Sequence, residues 1–228
     1  MAGALANFRI LDLTQLLAGP FATKYLADYG ADVIKIEPPE GEPGRRLAPF
    51  QGDAPDREKS GTFFLLNTNK RGITLDLSTA TAQGILRRLV QDADMVVESF
   101  QPGYLASLGI GFDDLRAEKP DLVMLSITNF GQYGPYRHWK GSETILYGMG
   151  GEMHSFGLAG REPLKQGMTT SLFQAGKIAM TASPANLALK QAEQREEQER
   201  DDDPNGEVAE LVQFIPRNWR TAQSGNAA

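Results

Sequence analysis

What most limits the folds open to this chain is a repeated alternation, up to Thr128, of short apolar runs with longer amphipathic stretches. Residues 8–13 (FRILDL) read as a strand, 20–29 as a helix and 32–37 (DVIKIE) as a second strand. Pro20 suits a first helical turn, Phe21 and Tyr25 lie four apart on one face, and Gly30 suits a left-handed stop. Residues 72–77 (GITLDL) give another strand, after which Ser78 is placed to cap a helix over 79–92. In that helix Ile85, Leu86, Leu89 and Val90 share a face, while Arg87, Arg88 and Gln91 take the other. Residues 95–98 (MVVE) and 122–128 (LVMLSIT) bring the strand count to four or five. Strands separated by helices in this way predict an α/β fold: an open, mainly parallel sheet with helices on both faces.

Composition narrows the function classes. With 228 residues and 41% apolar content the chain can build a substantial core. Its formal charge of −6 gives no general attraction to phosphate backbones or anionic lipid, so neither nucleic acid nor membrane is an expected partner. The absence of cysteine removes disulfides, thiolate nucleophiles and cysteine-based metal sites, and no metal site is expected. The N-terminus has no secretory pattern and no stretch approaches the roughly 18 apolar residues of a membrane span, so a cytoplasmic location is expected.

The acidity is local. Between Glu193 and Asp203 seven acids face two bases, leaving only −1 for the rest of the chain. That segment reads as a solvated helix extension or disorder, broken at Pro204-Asn205-Gly206. Val208, Leu211, Val212, Phe214 and Ile215 are placed for one short packed element beyond it. The expected organisation is a domain over 1–180, including the start of a linker, and a divergent charged tail, helical or disordered, over 181–228.

In open α/β sheets ligands gather beyond the carboxyl ends of strands, so the loops around the strands carry the functional signal. Residues 14–20 (TQLLAGP) join a strand exit to a Gly-Pro helix start, whose free N–H groups suit an anion, although such a turn also serves folding alone. Residues 38–46 (PPEGEPGRR) end in an arginine pair suited to phosphate or simply to solvent. Residues 67–71 (NTNKR) offer cations directly before a strand, and Phe100 in 98–103 (ESFQPG) either lies against a flat base or plugs its loop. Together they suggest a ligand with phosphates and a heterocycle.

The order of these blocks resembles the class III, CaiB/BaiF-like CoA-transferases. The resemblance is carried by ILDLTQLLAGPFATKYLADYGADVIKIEPPEGEPGR, FFLLNTNKRGITLDL, ADMVVESFQPGYLASLGIGFDDL and LVMLSITNFGQYGPYRHWKG, and runs from about Leu5 to about Met180. It implies a Rossmann-like domain binding coenzyme A or acyl-CoA, interlinked homodimers or a partner subunit, and CoA exchange with a small carboxylic acid. It needs neither a metal nor a redox cofactor. Residue by residue, it places Gln15 and Leu17 at an active-site turn, Asn69, Lys70, Arg71 and Phe100 in CoA-contacting loops, Gly131 in the FGQYGP loop and Lys140 as a basic residue near the CoA.

Family catalysis implies an aspartate that attacks the thioester to form an acyl-enzyme anhydride. With the glycines of residues 167–176 (GMTTSLFQAG) matched, that position is Leu172 here, and no aspartate occurs between Asp121 and Asp201. The catalytic residue is therefore unassigned, since the neighbouring hydroxyls of Thr169, Thr170 and Ser171 each need a base. Ser99, Gln101 and Ser107 also depart from the family pattern. A racemase is disfavoured because Ser142-Glu143 stands where that branch has a His-Asp type pair, and a nicotinamide dehydrogenase because TQLLAGP is no G-x-G-x-x-G turn. His138, beside Trp139, and His154 read as structural or solvated. Two readings stand: an active CoA-transferase, or a non-catalytic CoA-binding or assembly subunit.

Overall fold

The computed structural model describes residues 3–202, with side chains up to residue 192. The β-α-β start forms as expected: β1 (Arg9–Leu13), α1 (Ala18–Asp28) and β2 (Asp32–Glu37). Then follow α2 (Gly61–Asn67), β3 (Arg71–Thr74), α3 (Ala80–Gln91), β4 (Met95–Glu98), α4 (Tyr104–Ser107), α5 (Phe112–Glu118) and β5 (Val123–Ser126). After a long loop come α6 (Glu143–Met149) and α7 (Thr170–Asp202).

The five strands form one sheet in the order β3-β2-β1-β4-β5, and every pairing is parallel. The chain lays down β1, β2 and β3 in one direction and then returns to place β4 on the other side of β1. The order thus reverses between β1 and β4, and the helices leaving these two strands diverge there to open a crevice. Register fixes the two exits side by side, with Leu13 opposite Glu98.

Alternation along the strands sends successive residues to opposite faces. On one face Leu11, Leu13, Ile34, Ile36 and Val96 pack with Leu86 and Val90 of α3 and Leu115 of α5. On the other, Ile10, Val33, Met95 and Val97 pack with Leu26 of α1 and Leu187 of α7. Each fully buried aliphatic side chain contributes roughly 1.5–3 kcal/mol. Both faces of the central strands are therefore covered, as a parallel sheet requires.

Local details differ from the sequence expectation. β3 ends at Thr74 rather than continuing to Leu77, while Leu75 N still donates to Glu37 O and Leu75 and Leu77 pack on the core. The cap of α3 is Thr79, whose hydroxyl accepts from Ala82 N; Ser78 instead donates to Asp76. The last strand is four residues long, Val123–Ser126, although Ile127 N still donates to Glu98 O just beyond it.

The chain divides into two units, Met1–Leu187 and Ala188–Ala228. The sheet belongs to the first; of the second, residues 188–202 are described and are helical. The apolar cluster from Val208 to Ile215 lies outside the described residues. Among the described residues no helix is long and apolar enough to cross a membrane.

Candidate active site

The exit of β1 is built on a buried charge cluster. Asp12, fully buried, accepts from Thr14 N at 2.9 Å and Thr14 Oγ1 at 2.5 Å through Oδ1, and from Thr23 Oγ1 at 2.7 Å through Oδ2. Lys70 Nζ donates to the same Oδ2 at 2.9 Å, and also to Pro20 O, Thr23 Oγ1 and Asn67 Oδ1 at 2.8–3.0 Å. Lys35 lies 3.7 Å from Asp12 and donates to Thr14 O. Burial alone would raise the Asp12 carboxyl, but the two ammonium groups and two hydroxyls overcome it and hold Asp12 well below the ordinary carboxylate range. Burial pulls Lys70 down to about 8, with Asp12 opposing, so both remain charged at neutral pH.

This cluster anchors a turn that is itself held open. Gln15 N donates to Ser99 Oγ at 2.8 Å, tying the β1 exit to the β4 exit. Leu16 N donates to the buried Glu42 carboxylate at 3.0 Å, and Leu16 adopts φ 64°, a left-handed conformation that a leucine takes only under constraint. Gly19 is required next: a Cβ there would lie 2.3 Å from Thr14 Cβ. The first-turn amides of Ala18 and Gly19 have no acceptor within their helix.

A cleft of about 580 Å³ opens at this point, floored by residues 15–19, by Ser99 and by residues 127–130 after β5, and walled by α6 and α7. Helix α7 reaches it because Gly176 lets the helix press onto α1; a Cβ there would meet Ala18 O at 2.6 Å and Phe21 at 2.9 Å. Phe21 and Phe173 meet edge to face beside this contact, 4.8 Å apart. The starts of α1 and α7 thereby face one cleft, with the free amides of Ala18 and Gly19 on the α1 side.

Ser171 and Leu172 both line that cleft. Ser171 Oγ donates to Glu143 Oε2 at 2.5 Å, and Ser171 N donates to Oε1 at 2.8 Å, so α7 begins on the carboxylate of α6. Tyr147, 2% exposed, also lines the cleft, and its hydroxyl is buried beside the Gln166 backbone. Burial pushes the Tyr147 phenol up, and Glu152, another lining residue, adds to the shift. Thr128 Oγ1 is buried without a partner. Below the floor, burial raises the Glu98 carboxyl, with Ser126 and the Phe100 amide opposing.

Of the residues singled out in the sequence, Gln15 and Leu17 line the cleft. Lys70 sits in the charge cluster, its side chain 1% exposed. Asn69, at φ 64°, donates to Asp28 at 2.7 Å, and Arg71 holds Asp32 through two bonds of 2.8 and 2.6 Å. Phe100 is half-buried on the hydrophobic core, 5.0 Å from the Tyr104 ring, as in the plug alternative. Gly131 and Lys140 are exposed on the loop after β5, whose shape is set by Phe130, Tyr136 and Trp139 packed ring on ring. From the arginine pair, Arg45 binds Glu37 through bonds of 2.7 and 2.9 Å and lies over the Phe63 ring. Sequence reasoning missed Tyr147 and Glu152, which carry no motif, and the role of Glu143, whose bond to Ser171 spans 28 residues.

The family model for CoA-transferase family III matches residues 5–200. The chain is 39% identical over 186 residues to a succinate–glutarate CoA-transferase of Agrobacterium fabrum, covering 80% of this chain and 46% of that protein. It is 35% identical over 165 residues to the BbsE subunit of the succinyl-CoA:(R)-benzylsuccinate CoA-transferase of Thauera aromatica, covering 72% and 40%. Among solved structures it is similar to a CAIB/BAIF family protein of Brucella suis, with a TM-score of 0.77, 34% identity and coverage of 84% and 51%. The chain spans about half the length, or somewhat less, of these relatives.

Proposed function

The chain belongs to CoA-transferase family III, and from that premise we propose that it binds CoA or acyl-CoA and takes part in moving CoA between an acyl-CoA and a small carboxylic acid. The observation that carries this reading is the cleft at the reversal point between β1 and β4, where the start of α1 presents free amides beside Gln15 and Leu17. A thioester carbonyl there meets N–H donors suited to an oxyanion. Lys140, exposed on the loop after β5, offers its ammonium to the phosphates of CoA. Lys70 supports the same site from beneath, acting through Asp12 on the β1 exit, while Arg71 is held by Asp32 where β2 begins and Asn69 by Asp28 where α1 ends, at the opposite end of the strands from the cleft. Phe100 and Gly131 shape the loops on either side. Residues 1–180 form the CoA-binding domain in this reading and 181–228 its tail, and the chain works in the cytoplasm with a second copy or a partner subunit.

A second reading is favoured by one observation: Leu172, at the position the family gives to its aspartate, lines the cleft and offers no oxygen. A CoA-binding or assembly subunit without CoA exchange of its own fits that substitution, and one relative is itself a subunit of a larger transferase. Calorimetric titration of the full chain with CoA tests what the readings share. Binding is expected, weakened about 3–10-fold by Gln15→Ala or Lys140→Ala, in keeping with the loss of one polar or charge-assisted contact. No binding by the unaltered chain rejects both readings. CoA exchange from succinyl-CoA to glutarate separates them, because a subunit alone binds without exchanging.

A further inference from the structure

The sequence left the hydroxyls near Leu172 without a base, and the fold supplies one. We propose that Ser171 and Glu143 are a nucleophile and base pair that cleaves the acyl-CoA thioester with water as the final acceptor, an inference that rests on the CoA-binding reading above. Ser171 lines the cleft while Glu143 does not, so the hydroxyl, not the carboxylate, is the group that meets a bound thioester. The Oγ–Oε2 distance of 2.5 Å aims the hydroxyl proton at the carboxylate and leaves the oxygen lone pairs free for attack. Glu143 is fixed in that pose by a second bond, from Ser171 N at 2.8 Å. The base is thus oriented by the backbone of the residue it activates.

The surroundings complete the requirements of acyl transfer. Ser171 is the second residue of α7, a helix of 33 residues, and the next amide, that of Leu172, has no acceptor further back in the helix. Across the cleft the Ala18 and Gly19 amides are free in the same sense.

In the first step Ser171 Oγ adds to the thioester carbonyl carbon as its proton passes to Glu143. The carbon–sulfur bond then breaks, the proton moves from Glu143 to the departing sulfur, and an O-acyl serine and free CoA thiol remain. Water next adds to the ester carbonyl, giving a proton to Glu143. That proton returns to Ser171 Oγ as the acid leaves. One thioester and one water yield one carboxylic acid and one thiol.

The full chain is incubated with succinyl-CoA without any acceptor acid, free thiol is followed over the spontaneous background, and acid-quenched protein is mapped by mass spectrometry. Thiol release and a succinyl adduct on Ser171 are expected. Ser171→Ala and Glu143→Gln are each expected to slow release by about 100-fold or more while CoA affinity changes less than about 3-fold. An adduct on another residue, or an unchanged rate in Ser171→Ala, overturns the pair. CoA binding with no thiol release overturns it too and leaves the binding reading standing, whereas no CoA binding removes both. If a variant fails to fold, the adduct position in the unaltered chain still decides.

Discussion

Lys70 shows what a single residue contributes. In the sequence it is one cation in a polar loop, yet its ammonium has four oxygens within hydrogen-bonding distance and is buried against Asp12, which lies 58 residues earlier. Removing one partner of a buried pair leaves the other charge uncompensated, which costs about 3–5 kcal/mol. Lys70→Met is therefore expected to lower unfolding free energy by about that amount, read as a fall in urea midpoint with an unchanged slope. A loss under 1 kcal/mol would show that Lys35 alone suffices to hold Asp12. Sequence could not reveal this pairing, because spacing along the chain says nothing about which charge a lysine meets through the sheet.

Among the elements, α7 matters most, since Ser171 and Leu172 join the cleft only where that helix presses on α1. Gly176 permits the approach, and the crowding belongs to backbone: Ala18 O would lie 2.6 Å from an added Cβ. Gly176→Val forces the two helices apart and is expected to cost about 1–3 kcal/mol by overpacking. The same variant should weaken CoA binding, measured by titration on the folded protein; unaltered affinity would mean that α7 forms no wall for the ligand. Elements were legible where both faces are buried. Asp32–Glu37 and Met95–Glu98 end where the apolar runs end. β3 stops short of its run, at Thr74, although Leu75 and Leu77 still pack on the core. The site was legible at Gln15 and Leu17, where a strand exit meets a Gly-Pro start, and illegible at Glu143 and Tyr147, which arrive through the long connection after β5.

For the whole molecule, the carboxylates set the response to acid. Burial opposes ionisation at Asp12, Asp32 and Glu37, but their cationic and hydrogen-bonding partners leave all three below their ordinary values. A depressed carboxylate adds stability that is present above its unfolded value, 3.8 for Asp12, and is lost as pH falls toward its folded one. Glu98 is raised by burial and acts in the opposite sense, weakening the fold as pH rises through its folded value. The depressed carboxylates outnumber the raised one and predict a urea midpoint that falls between pH 4 and pH 2, with Asp12→Asn flattening the fall. A midpoint constant from pH 5 to pH 2 would count against the charge cluster as a source of stability.

The turn after β1 has a consequence for how anything docks there. Gln15 and Leu16 have their amides committed to Ser99 and Glu42, and the leucine is already twisted into its costly shape. A visitor meets a mould that is already set, and little ordering remains to be done on arrival. Selectivity at this mouth then comes from shape and donor placement, and the cost of keeping that shape is borne by the fold itself, whether or not the mouth is filled.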